Sequence, residues 1–476
     1  MCDDNHDDHL DEDHVEDRFE HHDPIGACAD SRQADQARLE ALKTAKAMQE
    51  SAQNFVAYEG SASTDTPPDT HEFSQPRRRF LNGMAMAAMA GVMMPSLSWA
   101  NAPTNKRLIV IILRGAMDGL AATVPYGDPA YVALRKNLAI ERDALLNLDG
   151  FFALHPSFET LYKMYQDKQM AIVHAAASPY RQRSHFDAQN VLELGGTTPH
   201  GLDSGWMNRL VGLIEQQSAQ ERGTRKLGMA FGQSIPMAMR GKTTVGSWAP
   251  STLPEVGSDF YSLVSYLYKQ DAALQSALYE GLDIQDTTGN LFDSDMRQMA
   301  RQSRSRKGFV TMAEMTGTWM KEPDGPRIAS LELGGWDTHA NQGTAAGGLA
   351  NNFGLLDQGF KALKDTLGDA WGDTVVLAIT EFGRTCAPNG NNGTDHGTAS
   401  CTFVAGGAVK GGRVLADWPG LTTDRLYEGR DLRPTVDLRS VFKGVLSDHF
   451  GLSLAALNAV VYPNSESAPK LNGLII

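Results

Sequence analysis

The sequence predicts an α/β protein with a doubly wound, mostly parallel sheet and helices on both faces, a fold class carried by three observations. Apolar, strand-like runs recur at 107–113, 170–175, 327–333, 374–380 and 402–405, and the first is continuous, as expected of a strand buried on both faces. Helix-length segments stand between them, and strand–helix alternation with loops of this length indicates parallel pairing. Three polar clusters accompany the later runs: Gly-Gly-Trp-Asp-Thr-His (334–339), Thr-Glu-Phe-Gly-Arg-Thr (380–385) and Gly-Thr-Asp-His-Gly-Thr (394–399). Open α/β sheets gather functional groups at the carboxyl ends of their strands, so residues far apart in sequence converge there.

Taken in order, the chain opens on a segment that does not look foldable. Residues 1–76 hold 19 Asp and Glu against 5 Lys and Arg, so the whole formal net charge of −14 lies there and the remainder is balanced. Six of the 13 histidines lie in the same stretch. An acidic, His-rich tract of this kind is expected to be solvated and disordered, with metal chelation as the alternative, and the segment 32–53 reads as a helix without assigned function.

Residues 77–102 read as a twin-arginine export signal. Arg77 and Arg78 precede Phe80 and Leu81, a weakly apolar run spans 83–94, and Ala100-Asn101-Ala102 offers a small-x-small cleavage site. The run falls short of the ~20 apolar residues a membrane span needs. A periplasmic or secreted protein is therefore expected, with the twin-arginine translocase as its partner during export and no stable membrane span. Residues 103–476 form one large domain in this reading. Balanced charge without a basic stripe argues against nucleic acid as a partner. Cys386 and Cys401 could bridge their loop in an oxidising compartment or remain separate thiols.

Within that domain the strand at 107–113 runs into Asp118, a helix is expected at 156–168, and the strand at 170–175 leads to Arg183-Ser184-His185, after which 188–195 is helical. This puts Ser184 at or near a helix N-terminus. The stretch 227–250 reads as an irregular or short-stranded insertion. Helices follow at 258–281 and 293–321, with 301–307 as a solvated face. Then come strand 327–333, helix 352–367, strands 374–380 and 402–405, and a last helix at 437–450. No repeat of fixed period is visible.

The clusters have the composition of a metal site. Asp337 and His339 share a face if the segment is extended, and Asp118, Glu381, Asp395 and His396 supply further ligand types. Mixed nitrogen and oxygen donors suit zinc or manganese, whereas calcium or magnesium would draw on oxygen alone. A turn-capping Asp beside a hydrogen-bonded His is the structural alternative. Arg384 could pair with Glu381 or hold an anionic substrate. Ser184, flanked by Arg183 and His185, has the surroundings of an oxygen nucleophile with a neighbouring base, and equally those of a capping serine. Nucleophile-elbow, P-loop, His-Glu-x-x-His and Cys-x-x-Cys motifs are missing, and the paired glycines at 406–407 and 411–412 are too weak a signal for nucleotide binding.

Together LRGAMDGL (113–120), LHPSF (154–158), RSHFDAQ (183–189), GGWDTH (334–339), TEFGRT (380–385), DHGTAS (395–400) and GGAVKGG (406–412) resemble the domain-of-unknown-function 1501 family. That family is related at fold level to the alkaline phosphatase and sulfatase superfamily, and the resemblance spans 106–452. It implies Asp118 as a metal-binding acid at the end of the first strand, Ser184 as nucleophile, Asp337 with His339 as a ligand pair, and His396 as the last ligand. Where the superfamily has an Asp-His pair this chain has Thr380-Glu381, so only an acid remains. Cys386-Ala-Pro-Asn-Gly390 lacks the arginine of a formylglycine signature, which counts against a formylglycine sulfatase. The implied activity is metal-dependent hydrolysis of phosphate or sulfate esters, on a small-molecule or polymer substrate, directly or through a covalent Ser184 intermediate. The rival reading is a non-catalytic periplasmic binding protein on a sulfatase-like scaffold.

Overall fold

The computed structural model describes residues 104–217, 227–250, 258–291 and 308–476. The acidic tract, the helix expected at 32–53, the export signal and the segment 293–307 lie outside the described residues. In chain order the strands are β1 (Arg107–Leu113), β2 (Thr123–Val124), β3 (Leu146–Asn147), β4 (Ala153–Leu154), β5 (Met170–Ala177), β6 (Gly228–Phe231), β7 (Gly246–Trp248), β8 (Ile328–Leu333), β9 (Thr374–Thr380), β10 (Ser400–Ala405), β11 (Arg413–Leu415) and β12 (Val436–Asp437). The α-helices of the described residues are α1 (Gly119–Ala122), α2 (Tyr131–Arg135), α3 (Glu159–Gln166), α4 (His185–Leu194), α5 (Trp206–Gln217), α6 (Ser258–Leu267), α7 (Ala272–Leu291), α8 (Gly308–Lys321), α9 (Gly348–Leu367), α10 (Leu438–Phe450) and α11 (Leu454–Ala456).

Among the described residues the main sheet runs β11-β5-β10-β9-β1-β8-β6-β7, with β12 also paired to β5. Strand β1 lies near its centre because every one of its residues is apolar or has its charged end satisfied. Ile109, Ile111 and Leu113 enter one core and Leu108, Val110 and Ile112 the other, as a two-residue side-chain period requires. Helices α3, α8 and α9 cover the first face through Leu161, Phe309, Phe353 and Phe360. Helices α5 and α10 cover the second through Trp206, Leu210, Phe442 and Val445. The protein is thus α/β, with a mostly parallel sheet and helices on both faces.

Strands β8 and β9 pair parallel to β1, and β6 and β7 continue the parallel order, so the insertion at 227–250 extends the sheet with two short strands. Strand β10 runs antiparallel to both β5 and β9, which strand–helix alternation did not foretell. The connection from β9 to β10 carries no helix, and a parallel neighbour needs a crossover of helical length. The helix expected at 258–281 is broken. Asp271 ends the first piece, and its carboxylate accepts from Ala273 N and Leu274 N to start α7. Cys386 and Cys401 are separate buried thiols, so no disulfide closes their loop, and burial pushes the Cys401 thiol up to about 12. No helix of the described residues is long and apolar enough to cross a membrane.

This topology fixes where chemistry can occur. Strands β1, β5, β8 and β9 are mutually aligned, and antiparallel β10 begins where they end. Residues following those four strands and residues preceding β10 therefore meet at one edge of the sheet.

Candidate metal centre

Four side chains from three segments converge at that edge. His185 opens α4 after β5, Asp337 and His339 follow β8, and His396 precedes β10. Ligand atoms of His185, Asp337 and His396 lie within 4.8 Å of one another. His185 Nε2 is 3.0 Å from His396 Nε2, and His339 Nε2 is 3.0 Å from both His396 Nε2 and Asp337 Oδ1. The Asp337 carboxylate reaches His396 Nε2 at 3.3 Å and His185 Nε2 at 3.5 Å.

The outer face of each imidazole sets its tautomer. His185 Nδ1 donates to Glu381 Oε1 at 2.8 Å, His339 Nδ1 to Asp395 Oδ1 at 3.2 Å, and His396 Nδ1 to the carbonyl of Arg183 at 2.9 Å. All three partners accept hydrogen bonds, so each Nδ1 carries the proton and each Nε2 turns a lone pair inward. Lone pairs 3.0 Å apart beside a carboxylate repel unless a cation or extra protons join them. Tetrahedral bonds of ~2.0–2.1 Å would separate ligand atoms by ~3.3–3.4 Å, close to the spacings observed. The donor set therefore fits a metal ion, with His185, Asp337 and His396 as the compact group and His339 beside two of them.

The sequence builds this arrangement locally. Gly115, at φ +118°, brings the end of β1 so near the 336–337 backbone that a Cβ there would lie 2.7 Å from Asp337 N. Its own N–H donates to Glu381 Oε1 at 2.8 Å. Gly393 likewise allows the 394–396 segment to press on His339, whose carbonyl would be 2.4 Å from a Cβ. Arg183 sits in the left-handed region at φ 63°, costly for a residue other than glycine, and ion pairs to Asp431 and Glu428 hold it there. That conformation presents the Arg183 carbonyl to His396.

Electrostatics follow from these contacts. The hydrogen bond to Glu381 raises the His185 pKa above the ordinary imidazole value against the opposing effect of burial. Burial lowers that of His396, and the nearby His185 and Arg384 add to the effect. Asp337 and Glu381 both lie below the usual carboxylate range. In each case burial opposes the shift and is outweighed, by the Arg384 guanidinium for Asp337 and by the His185 hydrogen bond for Glu381. Side chains of Asp337 and His339 are 44% and 45% exposed, whereas Glu381 and Arg384 are fully covered, so the centre opens to solvent on one side.

Several residues singled out from sequence take other positions. Glu381 and Asp395 stand one imidazole away from the convergent atoms. The structure does not bring Asp118 into the set. Its Oδ1 caps α1 through Leu120 N and Ala121 N, and its Oδ2 pairs with Arg135 at 2.6 Å and accepts from Gln342 at 2.7 Å. Arg384 donates to Asp337 Oδ1 at 2.5 Å and to the hydroxyl and carbonyl of Thr394, so its guanidinium faces a protein carboxylate. Ser184 holds the N-cap position of α4 without a side-chain capping bond. Both nitrogens of His185 are engaged, which leaves none to serve Ser184 as a base. Gln189, which donates to Glu381 at 3.1 Å, escaped the sequence reading, although its i,i+4 spacing from His185 puts both on one helical face.

Among solved structures the chain is similar to the C-terminal periplasmic domain of EptC from Escherichia coli in complex with Zn, at 8% identity and a TM-score of 0.32, covering 64% of this chain and 74% of that one. It is also similar to the lipoteichoic acid synthase LtaP from Listeria monocytogenes, at 11% identity and a TM-score of 0.31, covering 71% and 72%. A third similarity is to the phosphonate monoester hydrolase of Agrobacterium radiobacter, at 11% identity and a TM-score of 0.30, covering 73% and 74%. No curated protein sequence matches. Residues 105–461, which contain all four convergent side chains, match the family described as "Protein of unknown function (DUF1501)", and the chain belongs to that family.

Proposed function

We propose that this chain is an exported, metal-dependent hydrolase of phosphate or sulfate esters. The observation that carries the reading is the meeting of inward-facing imidazole lone pairs with the Asp337 carboxylate on the solvent-open side of the sheet edge. Mixed nitrogen and oxygen donors favour zinc or manganese over calcium or magnesium. His185, Asp337, His339 and His396 would hold the ion, with Glu381, Asp395 and the Arg183 carbonyl fixing the imidazole tautomers. A bound divalent ion supplies Lewis acidity, polarising an ester oxygen and easing loss of a proton from an attacking one.

The remaining work falls to the chain. Ser184 directly precedes His185, and its hydroxyl is not spent on capping α4. This supports Ser184 as the oxygen that attacks phosphorus or sulfur, with first-turn amides of α4 and the positive end of its dipole facing the charge that develops. Arg384 acts by fixing Asp337 rather than by clamping the substrate. Small-molecule and polymer esters both remain substrates of this class, and the twin-arginine translocase is the export partner that Arg77 and Arg78 address.

The test combines elemental analysis of the folded, full-length protein with turnover of aryl phosphates and aryl sulfates by wild type and Ser184→Ala. The expected result is bound metal in both proteins, hydrolysis by wild type alone, and nearly equal melting temperatures, since losing one hydroxyl at a helix start costs ~0.5–2 kcal/mol at most. Wild-type turnover in the variant would remove Ser184 from the reaction. Bound metal without any ester turnover would make the chain a binding protein.

A further inference from the structure

A cavity of about 330 Å³ opens at the ends of β6 and β8, on the same sheet edge as the metal centre. Phe309, Met312 and Leu333 give it an apolar floor, and Gln233, Ser234 and Glu332 line its polar side. Its volume is at the lower end of the ~300–1,000 Å³ typical of small-molecule pockets, and an apolar floor with a few polar groups is the usual lining. A chain of hydrogen bonds connects it to the metal centre. Glu332 Oε1 accepts from Arg114 Nε at 3.0 Å, and Arg114 Nη1 donates to Gln189 Oε1 at 3.2 Å. Gln189 Nε2 donates to Glu381 at 3.1 Å, and Glu381 holds His185 at 2.8 Å. Both contacts to Arg114 use Oε1 of Glu332, so among the described residues Oε2 is left as an acceptor on a side chain that is 39% exposed.

We infer that this cavity receives the organic group of the ester, an aromatic or branched-alkyl moiety carrying a hydroxyl or amine donor. The inference rests on the hydrolytic reading for the identity of the ligand. Phe309, Met312 and Leu333 supply apolar surface, Glu332 and Gln233 in the lining supply acceptors for a donor, and β8 leads from the cavity wall at Leu333 to Asp337 within four residues. The Arg114–Gln189–Glu381 chain ties the wall and the His185 ligand to the same hydrogen-bonded scaffold.

Fluorescence titration of the full-length protein with the neutral apolar probe N-phenyl-1-naphthylamine tests the cavity without requiring turnover. One saturable site is expected, unchanged when metal is stripped with a chelator. Binding should weaken at least ten-fold in both Ser234→Trp and Ala249→Trp, which fill the cavity from partly exposed positions outside the strands. Glu332→Gln should weaken 1-naphthylmethylammonium at least five-fold and leave the neutral probe within two-fold. Equal affinity of the neutral probe for wild type and both tryptophan variants, or no saturable site in wild type, overturns the inference. If a tryptophan variant melts early, the Glu332→Gln comparison decides, and equal loss of the two probes also overturns it. Failure of the hydrolytic reading would show in the ester assay, and failure of the cavity in the titration.

Discussion

At the scale of residues, the carboxylates of this protein divide by what their oxygens already do. Asp337 faces the convergent imidazoles, Glu381 orients one of them, and Asp118 is consumed by Arg135, Gln342 and two helix amides. Glu381→Gln replaces an anionic acceptor at His185 Nδ1 with an amide, and loss of such a partner typically weakens metal affinity ~10–100-fold. Asp118→Asn leaves the convergent atoms untouched but breaks an ion pair with both partners at most 1% exposed, a change that costs ~3–5 kcal/mol. Metal titration and thermal melting of the two variants should therefore give opposite patterns: weak metal with a near-normal melt for Glu381→Gln, full metal with an early melt for Asp118→Asn. Loss of metal from Asp118→Asn at normal stability would contradict the division. Asp337, His339 and His396 were legible in the sequence because each adjoins a strand end in a cluster of ligand types. The place of His185 in the set was not, because a Ser-His pair at a helix start carries the same local signal whether the imidazole serves the serine or a metal. Nor could the fate of Asp118 be read, since its partners Arg135 and Gln342 lie in a short helix and a distant loop.

At the scale of elements, β5 carries an irregularity beside a buried histidine. Its pairing with β10 slips between Ala176↔Ser400 and Val173↔Thr402, leaving an extra residue, and Ala175 takes a φ of 53°. The bulge turns His174 inward, between Phe152 and Trp418. There Nε2 donates to the Thr123 carbonyl at 2.9 Å and Nδ1 accepts from Ala175 N at 2.8 Å, so only the neutral ring satisfies both bonds. Burial lowers its pKa to about 4, and burial does the same to His449, whose Nε2 meets the Arg107 carbonyl. A histidine held low in the folded state protonates more readily when unfolded, so its contribution to stability is complete above pH ~6.5 and is lost as pH falls from there toward 4. At pH 5 the loss is about 2 kcal/mol for each. His185 has the opposite sign, because its raised value gives stability that is present below pH ~6.5 and lost as pH rises through the folded pKa. Urea midpoints of metal-free protein at pH 7.5 and pH 5 separate these effects: wild type should weaken on acidification, and His174→Gln should weaken less. Equal pH dependence in the two proteins would show that His174 is not held neutral by the bulge. Periodicity located β5 but not its bulge, and it located the segment of β10 but not its direction. Both depend on tertiary pairing, which apolar runs do not encode.

At the scale of the whole molecule, the chain divides by charge. The segment that contains every convergent side chain is electrically balanced, while the formal charge of −14 lies entirely before residue 77. The class of fold was legible because a sheet covered on both faces needs continuous apolar strands, and Arg107–Leu113 and Thr374–Thr380 are buried along their whole length. The proposed export in folded form suits how the site is made. The convergent side chains stand at positions 185, 337, 339 and 396, so the set exists only after strands β5, β8, β9 and β10 have assembled. A chain threaded unfolded across a membrane would reach the far side with its ligands dispersed, whereas one carried folded could bind its ion first. Arg77 and Arg78 supply the address for folded transport in this reading. Changing both to lysine should leave unprocessed protein in the cytoplasm, as judged by fractionation and by the mass of the N-terminus, with the metal content of that protein intact. Deleting residues 2–70 should leave export and processing unchanged, because the address begins after them. Continued processing of the double-lysine protein would mean that another signal directs the chain. Failure of export in the deletion alone would make the acidic, histidine-rich segment part of the export address.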